Sequence, residues 1–241
     1  RGAELVAVDT EFMRRNTFYP QAALIQLGFE GEDCAWLIDP LLITDFEPLR
    51  QLFQSSTVKI LHSPSEDLEV FQQLLGVQPE PMFDTQRAAA FLDMGHGLGY
   101  RGLVEELTGE LLPKGETRSD WLQRPLTDSQ LEYAALDVLP VPGIYRQLCE
   151  RLQEAGKHEW LLEDGSWMMK QAQLPTPFPL SRFKTAWKLN SRQLELLTRI
   201  RDWREQRARD TDKPRSWILA DNHCLQIAQR APGNEQELQS I

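Results

Sequence analysis

Cysteine and histidine are both scarce in this chain of 241 residues. The three cysteines (Cys34, Cys149, Cys224) and four histidines (His62, His96, His158, His223) are scattered, and no C-x-x-C pair occurs. That excludes a disulfide framework and the Cys/His spacings of structural zinc sites. It also makes a reducing, cytoplasmic location the default expectation. Long apolar runs are missing too. No segment approaches the roughly 20 uninterrupted apolar residues of a membrane-spanning helix, so no membrane partner is expected. The first residue is Arg1 rather than Met, so the chain is expected to be a fragment or a trimmed sequence, and the lack of a signal peptide says little. Hydrophobic residues make up 41% and aromatics 9%, enough for a packed core, which excludes disordered and collagen-like classes. The length predicts one large domain or two smaller ones.

Positive charge is short overall, with a net charge of −10, but it is unevenly placed. Residues 1–180 hold 14 Lys/Arg against 28 Asp/Glu, a net of −14, whereas residues 181–220 hold 11 against 5, a net of +6. Such a split separates an acidic catalytic or scaffold part from a part that binds polyanions, or else the arginines simply solvate helices.

Leu5–Val8 is a short Val-rich run that reads as a central strand. Ala22–Phe29 and Cys34–Ile38 flank Gly31 as a hairpin. Asp45–Phe53 has helical spacing, Val58–Leu61 reads as another buried strand, and Ser65–Leu75 follows as a helix stopped by Gly76. This is a mixed α/β opening, antiparallel in its hairpin, with the later strand returning by a crossover. The rest reads as helical: Thr85–Leu92, Leu103–Leu107, a helix starting near Asp128 at the capping box Thr127-Asp-Ser-Gln130, and Glu159–Gln173. Gly95, Gly97, Gly99 and Gly102 read as turn punctuation. Pro175, Pro177 and Pro179 make a stiff linker, and a domain boundary is expected there. Beyond it Ser191 starts a helix with Leu196, Leu197, Ile200 and Trp203 as its core stripe.

Asp9 and Glu11 are two apart at the end of the first strand, so their carboxylates share a face. A divalent cation between them relieves their repulsion; alternatively they are two exposed acids. Asp67 falls in the first turn of its helix, where an acid suits the dipole in any case. Tyr133 and Asp137 are four apart on the capped helix, either aimed together at a metal site or packed independently. Pro140 and Pro142 should end or kink this helix just after Asp137.

Together these pieces form D-x-E on strand one, an Asp after a later strand, and Y-x-x-x-D on a helix. The set resembles the DEDD 3′–5′ exonucleases of the tyrosine-bearing subgroup, and within it the ribonuclease D family. The likeness runs through Val8-Asp-Thr-Glu-Phe12, Tyr19-Pro-Gln21, Leu24-Ile-Gln-Leu27, Leu37-Ile-Asp-Pro40, His62-Ser-Pro-Ser-Glu-Asp67, Phe83-Asp-Thr-Gln86, Ser119-Asp-Trp-Leu122 and Glu132-Tyr-Ala-Ala-Leu-Asp137. The segment from Leu189 to Ile241 is similar to an HRDC domain that stops before its end.

The resemblance implies an RNase H-like mixed sheet with flanking helices over residues 1–173. A proline-rich linker over 174–190 and a small all-helical, partial HRDC-like domain over 191–241 follow from it. It implies two-metal hydrolysis of RNA 3′ ends, with Mg²⁺ or Mn²⁺ on oxygen ligands. Asp9 would bridge the ions, Glu11 and Asp137 complete the nucleophile side, Asp67 serve the leaving-group side, and Tyr133 position the attacking water. The implied partner is RNA with a free 3′ end, tRNA precursors among them, with no obligate protein partner. A DNA 3′–5′ exonuclease and a non-catalytic RNA-binding scaffold are the alternatives. Phe12 is placed to stack on a terminal base or to pack in the core. Lys114 and Arg118 hold phosphates or are solvated. His62 and Asp67 have the H-x-x-x-x-D spacing of another exonuclease subgroup, but in the wrong motif slot. His62 is therefore a strand-end residue near substrate or a satisfied core histidine, with packing favoured.

Overall fold

A computed structural model describes residues 2–113, 115–116, 118–173 and 178–241. They fall into two compact units: the described residues of 1–13 and 20–174, and those of 14–19 and 175–241.

The first unit runs β1 (Leu5–Met13), β2 (Gln21–Phe29), β3 (Ala35–Ile38), α1 (Glu47–Phe53), β4 (Val58–Leu61), α2 (Ser65–Leu75), β5 (Met82–Asp84), α3 (Thr85–Phe91), α4 (Tyr100–Thr108), α5 (Asp128–Leu136), α6 (Val141–Glu154) and α7 (His158–Gln173). The strands form one mixed sheet in the order β3-β2-β1-β4-β5. The β1–β2 and β2–β3 pairs are antiparallel, and the β1–β4 and β4–β5 pairs are parallel. This is the RNase H-like mixed sheet with flanking helices. β1 and β4 are read from their buried Val/Ile/Leu runs, but β1 extends to Met13, five residues past the apolar stretch. Pairing to β2 carries it on, because the alternating polar side chains still leave the backbone free to join the ladder.

Alternation along β1 divides the core. Val6 and Val8 pack with Phe53 of α1, Leu68 and Phe71 of α2, and Met169 of α7. Leu5 and Ala7 pack with Ala88 and Ala89 of α3, Leu103 and Val104 of α4, and Val141, Ile144 and Leu148 of α6. Each buried Val, Leu, Ile, Phe or Met side chain among them contributes about 1.5–3 kcal/mol of transfer free energy. Lys59, fully buried on β4, is held by Nζ hydrogen bonds to the carbonyls of Ser55 (2.9 Å) and Glu80 (2.5 Å).

In the second unit, α8 (Ser191–Thr211), α9 (Arg215–Ile218), α10 (Asp221–Arg230) and α11 (Glu235–Gln239) follow two 3₁₀ turns at Leu180–Arg182 and Ala186–Lys188. Residues 174–177 of the expected linker lie outside the described residues. Residues 178–190 are not a plain extended spacer: Phe183 and Ala186 are buried with Leu197, Cys224 and Ala228. The expected stripe on α8 needs one correction. Leu197 is buried and Ile200 packs beside it, but Trp203 is 56% exposed. The buried face continues instead through Arg204 and Ala208, which follow Leu197 at seven and eleven residues. Arg204 is tolerated there because it donates to the Leu219 carbonyl (3.0 Å) and to Asp221 (2.5 Å), with its guanidinium against the Phe178 and Phe183 rings.

Candidate active site

The site starts with the unequal neighbours of β1. Parallel pairing with β4 stops at Ala7↔Ile60, whereas antiparallel pairing with β2 continues to Met13↔Gln21. Beyond Ala7, β1 therefore overruns the end of its parallel neighbour, the place where open α/β sheets present groups to ligands. Asp9 and Glu11 continue the face of Leu5 and Ala7, toward α5 and α6, while Thr10 lies on the α2 face.

Asp67 enters from the first turn of α2, which follows β4 after a turn with Ser63 at φ 55°. Pro64 caps that helix without harm, and its carbonyl accepts from the Leu68 N–H at 2.9 Å. Asp67 is buried, and the Thr10 hydroxyl donates to its carboxylate.

Tyr133 and Asp137 arrive on α5, whose capping box pairs Thr127 with Gln130 as expected. The helix ends at Leu136, with Asp137 as its final cap, and Pro140 opens α6 instead of kinking α5. The Asp137 N–H still reaches the Tyr133 carbonyl (3.1 Å), so both side chains stay on one turn. Two glycines make this approach possible. A Cβ on Gly28 would lie 2.6 Å from the Val138 carbonyl oxygen, so only glycine lets the turn after Asp137 press onto the sheet. A Cβ on Gly115 would collide with the Tyr133 ring.

Oxygens of Asp9, Glu11 and Asp137 lie within 4.8 Å of one another. Such an all-oxygen set suits a divalent cation of the Mg²⁺ or Mn²⁺ type. Burial, then the charges of Asp67, Asp137 and Glu11, push the Asp9 carboxyl well above the ordinary range. Burial and the charges of Asp137 and Asp67 raise Glu11 to about 8. Burial raises Asp137 to about 7, opposed by its hydrogen bond with the Tyr133 hydroxyl, and raises Asp67 to about 6, opposed by Thr10. Tyr133 is itself driven upward by burial and by Asp137, so it stays a neutral phenol.

His62 follows β4 and is neutral: burial lowers it to about 4. Its Nδ1 lies 2.9 Å from the Thr85 hydroxyl, and its ring meets Tyr100 edge-on at 5.6 Å. Both rings line a pocket of about 370 Å³ together with Arg101, Asp9, Tyr133 and Asp137, so His62 is packed and also borders the site. The glycine-rich stretch read only as turns supplies part of this lining through Gly99, Tyr100 and Gly102. Phe12 is half-buried on β1, just past a bulge between Glu11 and Phe12. Arg118 is exposed, and Lys114 lies outside the described residues. Thr10, Gly28 and Gly115 were missed by sequence reasoning. Only Thr10 carried a signal, as the middle of the D-x-E triplet.

A family model described as 3′–5′ exonuclease matches residues 1–153. The chain belongs to the 3′–5′ exonuclease family. An HRDC domain model matches residues 193–241. Ribonuclease D of Pseudomonas paraeruginosa is 46% identical over 98% of the chain and 63% of that protein. The chain thus spans somewhat under two thirds of that relative's length. The crystal structure of Escherichia coli RNase D, described as an exoribonuclease involved in structured RNA processing, aligns with a TM-score of 0.88 at 40% identity, over 99% of this chain and 64% of that one. Brucella melitensis NrnC with bound Mg²⁺ aligns with a TM-score of 0.63 at 26% identity, over 71% of this chain and 85% of that one.

Proposed function

We propose that this chain is a 3′–5′ exoribonuclease that hydrolyses RNA from its 3′ end and releases 5′-mononucleotides. The observation that carries the reading is the convergence of Asp9, Glu11 and Asp137, with the Tyr133 hydroxyl on Asp137 and Asp67 beside Thr10. None of the main influences on these four carboxyls is a basic side chain. Gathering acids in this way is unfavourable unless cations complete the site.

In this reading Asp9, Glu11, Asp67 and Asp137 would hold divalent ions, Mg²⁺ or Mn²⁺, with Asp9 central, Glu11 and Asp137 on the nucleophile side and Asp67 on the leaving-group side. Bound there, the ions supply charge neutralisation at the scissile phosphate and at the departing 3′ oxygen. Tyr133, a neutral phenol steadied by Asp137, orients the water whose oxygen forms the new bond to phosphorus as the P–O3′ bond breaks. The freed 3′ oxygen takes up a proton and becomes the new RNA end. The names of the Pseudomonas and Escherichia relatives support RNA as the substrate, and the Mg²⁺ in the Brucella neighbour supports the metal. Structured RNA such as tRNA precursors fits the description of the Escherichia enzyme. The three cysteines are unpaired, in keeping with a reducing cytoplasm.

The test is to incubate labelled RNA and matched DNA with the chain in Mg²⁺ and in Mn²⁺. RNA should shorten from its 3′ end to 5′-mononucleotides, and a 3′-phosphate block should stop it. Faster loss of DNA would move the reading to a DNA exonuclease. Cuts inside a circular RNA, or full turnover in excess chelator, would overturn it.

A further inference from the structure

We propose that Gln26 is a positioning residue for Asp9, its side-chain amide donating to the Asp9 carboxylate when a divalent cation organises the acids. This inference rests on the metal-site reading above. Gln26 sits in the middle of β2 with no exposed surface. Neither its Oε1 nor its Nε2 has a hydrogen-bond partner among the described residues. Buried polar groups in folded proteins are almost always paired, so an orphaned amide in a central strand points to a partner made in another state.

The sheet register names that partner. Gln26 is directly opposite Asp9 on β1, and directly opposite residues of an antiparallel pair project to the same face with Cβ atoms about 4.5–5.5 Å apart. A Gln side chain spans that distance to a neighbouring carboxylate. Its directly paired and flanking neighbours in β2 and β3 on this face carry no polar side chain. The Trp121 indole N–H, also unpaired among the described residues, is a donor that serves only the amide oxygen and leaves the amide N–H for a carboxylate. Leu37 faces it from β3, and Leu24 and Gly28 flank it along β2. Leu24 packs with Trp121 and Ala134, and the Val138 carbonyl presses over Gly28, so the amide is roofed by α5 and the turn after Asp137.

The residue type fits the task. Lys or Arg here would neutralise Asp9 and compete with a cation. Glu would add a further like charge. Met or Leu would fill the space but leave the carboxylate undirected. A neutral amide gives an N–H donor that aims the carboxylate while leaving its charge to the cation, as the Thr10 hydroxyl does for Asp67.

The experiment compares the whole chain with Gln26→Met and Gln26→Leu. Calorimetric titration with Mn²⁺ and the melting temperature of the metal-free chain are measured, with kcat on labelled RNA alongside. Both variants should bind Mn²⁺ about tenfold more weakly or worse, because partners that orient ligands commonly carry that much affinity. At least one should melt no lower than wild type without metal, since it replaces an unpaired buried amide with an apolar group. A residue that merely packs would move stability and affinity down together. Wild-type Mn²⁺ affinity in both variants would overturn the assignment, as would a lowered metal-free melting temperature in both. A wild-type chain that takes up no Mn²⁺ would instead overturn the underlying metal-site reading.

Discussion

The two units bury charge in opposite ways. In the second, Arg204 is enclosed but matched by Asp221, by the Leu219 carbonyl and by two Phe rings. Glu205 beside it accepts from Arg209 (2.9 Å) and from Arg215 (2.5 Å), and despite the burial that opposes it these arginines hold its carboxyl below the ordinary range. In the first unit, Asp9, Glu11, Asp67 and Asp137 are gathered with one another, and all four are driven upward. The second arrangement sets opposite charges against each other and serves the fold, although the Arg204 Nε and Nη2 meet ring faces rather than hydrogen-bond acceptors. The first is incomplete without a cation, and so it marks function. Strongly raised carboxyls in a cleft are a functional signal because the fold gains nothing from them.

Asp9→Asn breaks this contrast most sharply. It removes the central charge, so RNA hydrolysis should fall by more than about 10³-fold, of the order seen when a group acting only in the transition state is lost. The same change relieves repulsion among Glu11, Asp67 and Asp137, so the metal-free chain should melt at a higher temperature than wild type. Activity assays and calorimetry on one preparation test both. A variant that loses activity and stability together would place Asp9 with the structural charges.

Tyr133→Phe comes next. It removes a hydroxyl that holds Asp137 and orients water, but no ligand, so kcat should drop by about 10²–10⁴-fold with little change in Mn²⁺ affinity. Wild-type kcat would reduce Tyr133 to a packing residue against Trp121, whose ring lies 6.0 Å away.

Much of this contrast was legible in the residues. The D-x-E spacing, the capping box before Tyr133 and the acid in the first turn of α2 each follow from local rules of strand alternation and helix starts, and the elements form where those rules place them. What was not legible depends on the third dimension. Gly28 and Gly115 matter only because Val138 and Tyr133 arrive from distant sequence. Gln26 reads as one polar residue in an apolar run until the register sets it opposite Asp9. Trp203 looked like core by its spacing, but the buried stripe of α8 passes through Arg204, because Asp221 and two Phe rings make an arginine acceptable there. Periodicity identifies a face, and the charge partners waiting on that face come from elsewhere in the chain.

A smaller effect concerns pH without metal. Glu11 at about 8, Asp137 at about 7 and Asp67 at about 6 all stand above their ordinary values of 4.5, 3.8 and 3.8. Between about pH 4 and 8 these three carboxyls hold protons in the folded chain that the unfolded chain has released. They outweigh His62, whose lowering from 6.5 to about 4 has the opposite sign, so stability falls as pH rises. Lys59 has the reverse sign. Burial lowers it from 10.5 to about 8, so above pH 8 the unfolded chain holds the extra proton and stability returns. The metal-free melting temperature should therefore pass through a minimum near pH 8, and saturating Mn²⁺ should fill that minimum. A metal-free profile that rises steadily from pH 4 to 8 would contradict the raised acids.

The smallest expected effect lies on the exposed side of the second unit. Of its arginines, Arg201, Arg204, Arg209 and Arg215 are engaged in ion pairs, so part of the net +6 of residues 181–220 serves the fold. Other basic groups stand out in solvent. Lys188 lies 5.1 Å over the ring of Trp187, which is 79% exposed, and Lys213 lies 5.9 Å over the ring of Trp217, which is 61% exposed. Exposed indoles beside ammonium groups suit single-stranded RNA, where bases stack on the ring and phosphates meet the charge. Removing one cation that neutralises a phosphate of a single strand should flatten the slope of log affinity against log salt by about 0.7. Lys188→Gln with Lys213→Gln should therefore flatten it by about 1.4 and weaken binding severalfold at low salt. The segment 14–19 belongs to this unit as well, so surface substitution in the whole chain is a cleaner probe than deleting residues 181–241. Turnover on saturating short RNA should stay at the wild-type level, because neither lysine belongs to the carboxylate site. Titrating labelled RNA at several salt concentrations decides the matter: equal slopes would leave these lysines as solvated helix charges and return the whole net +6 to the fold.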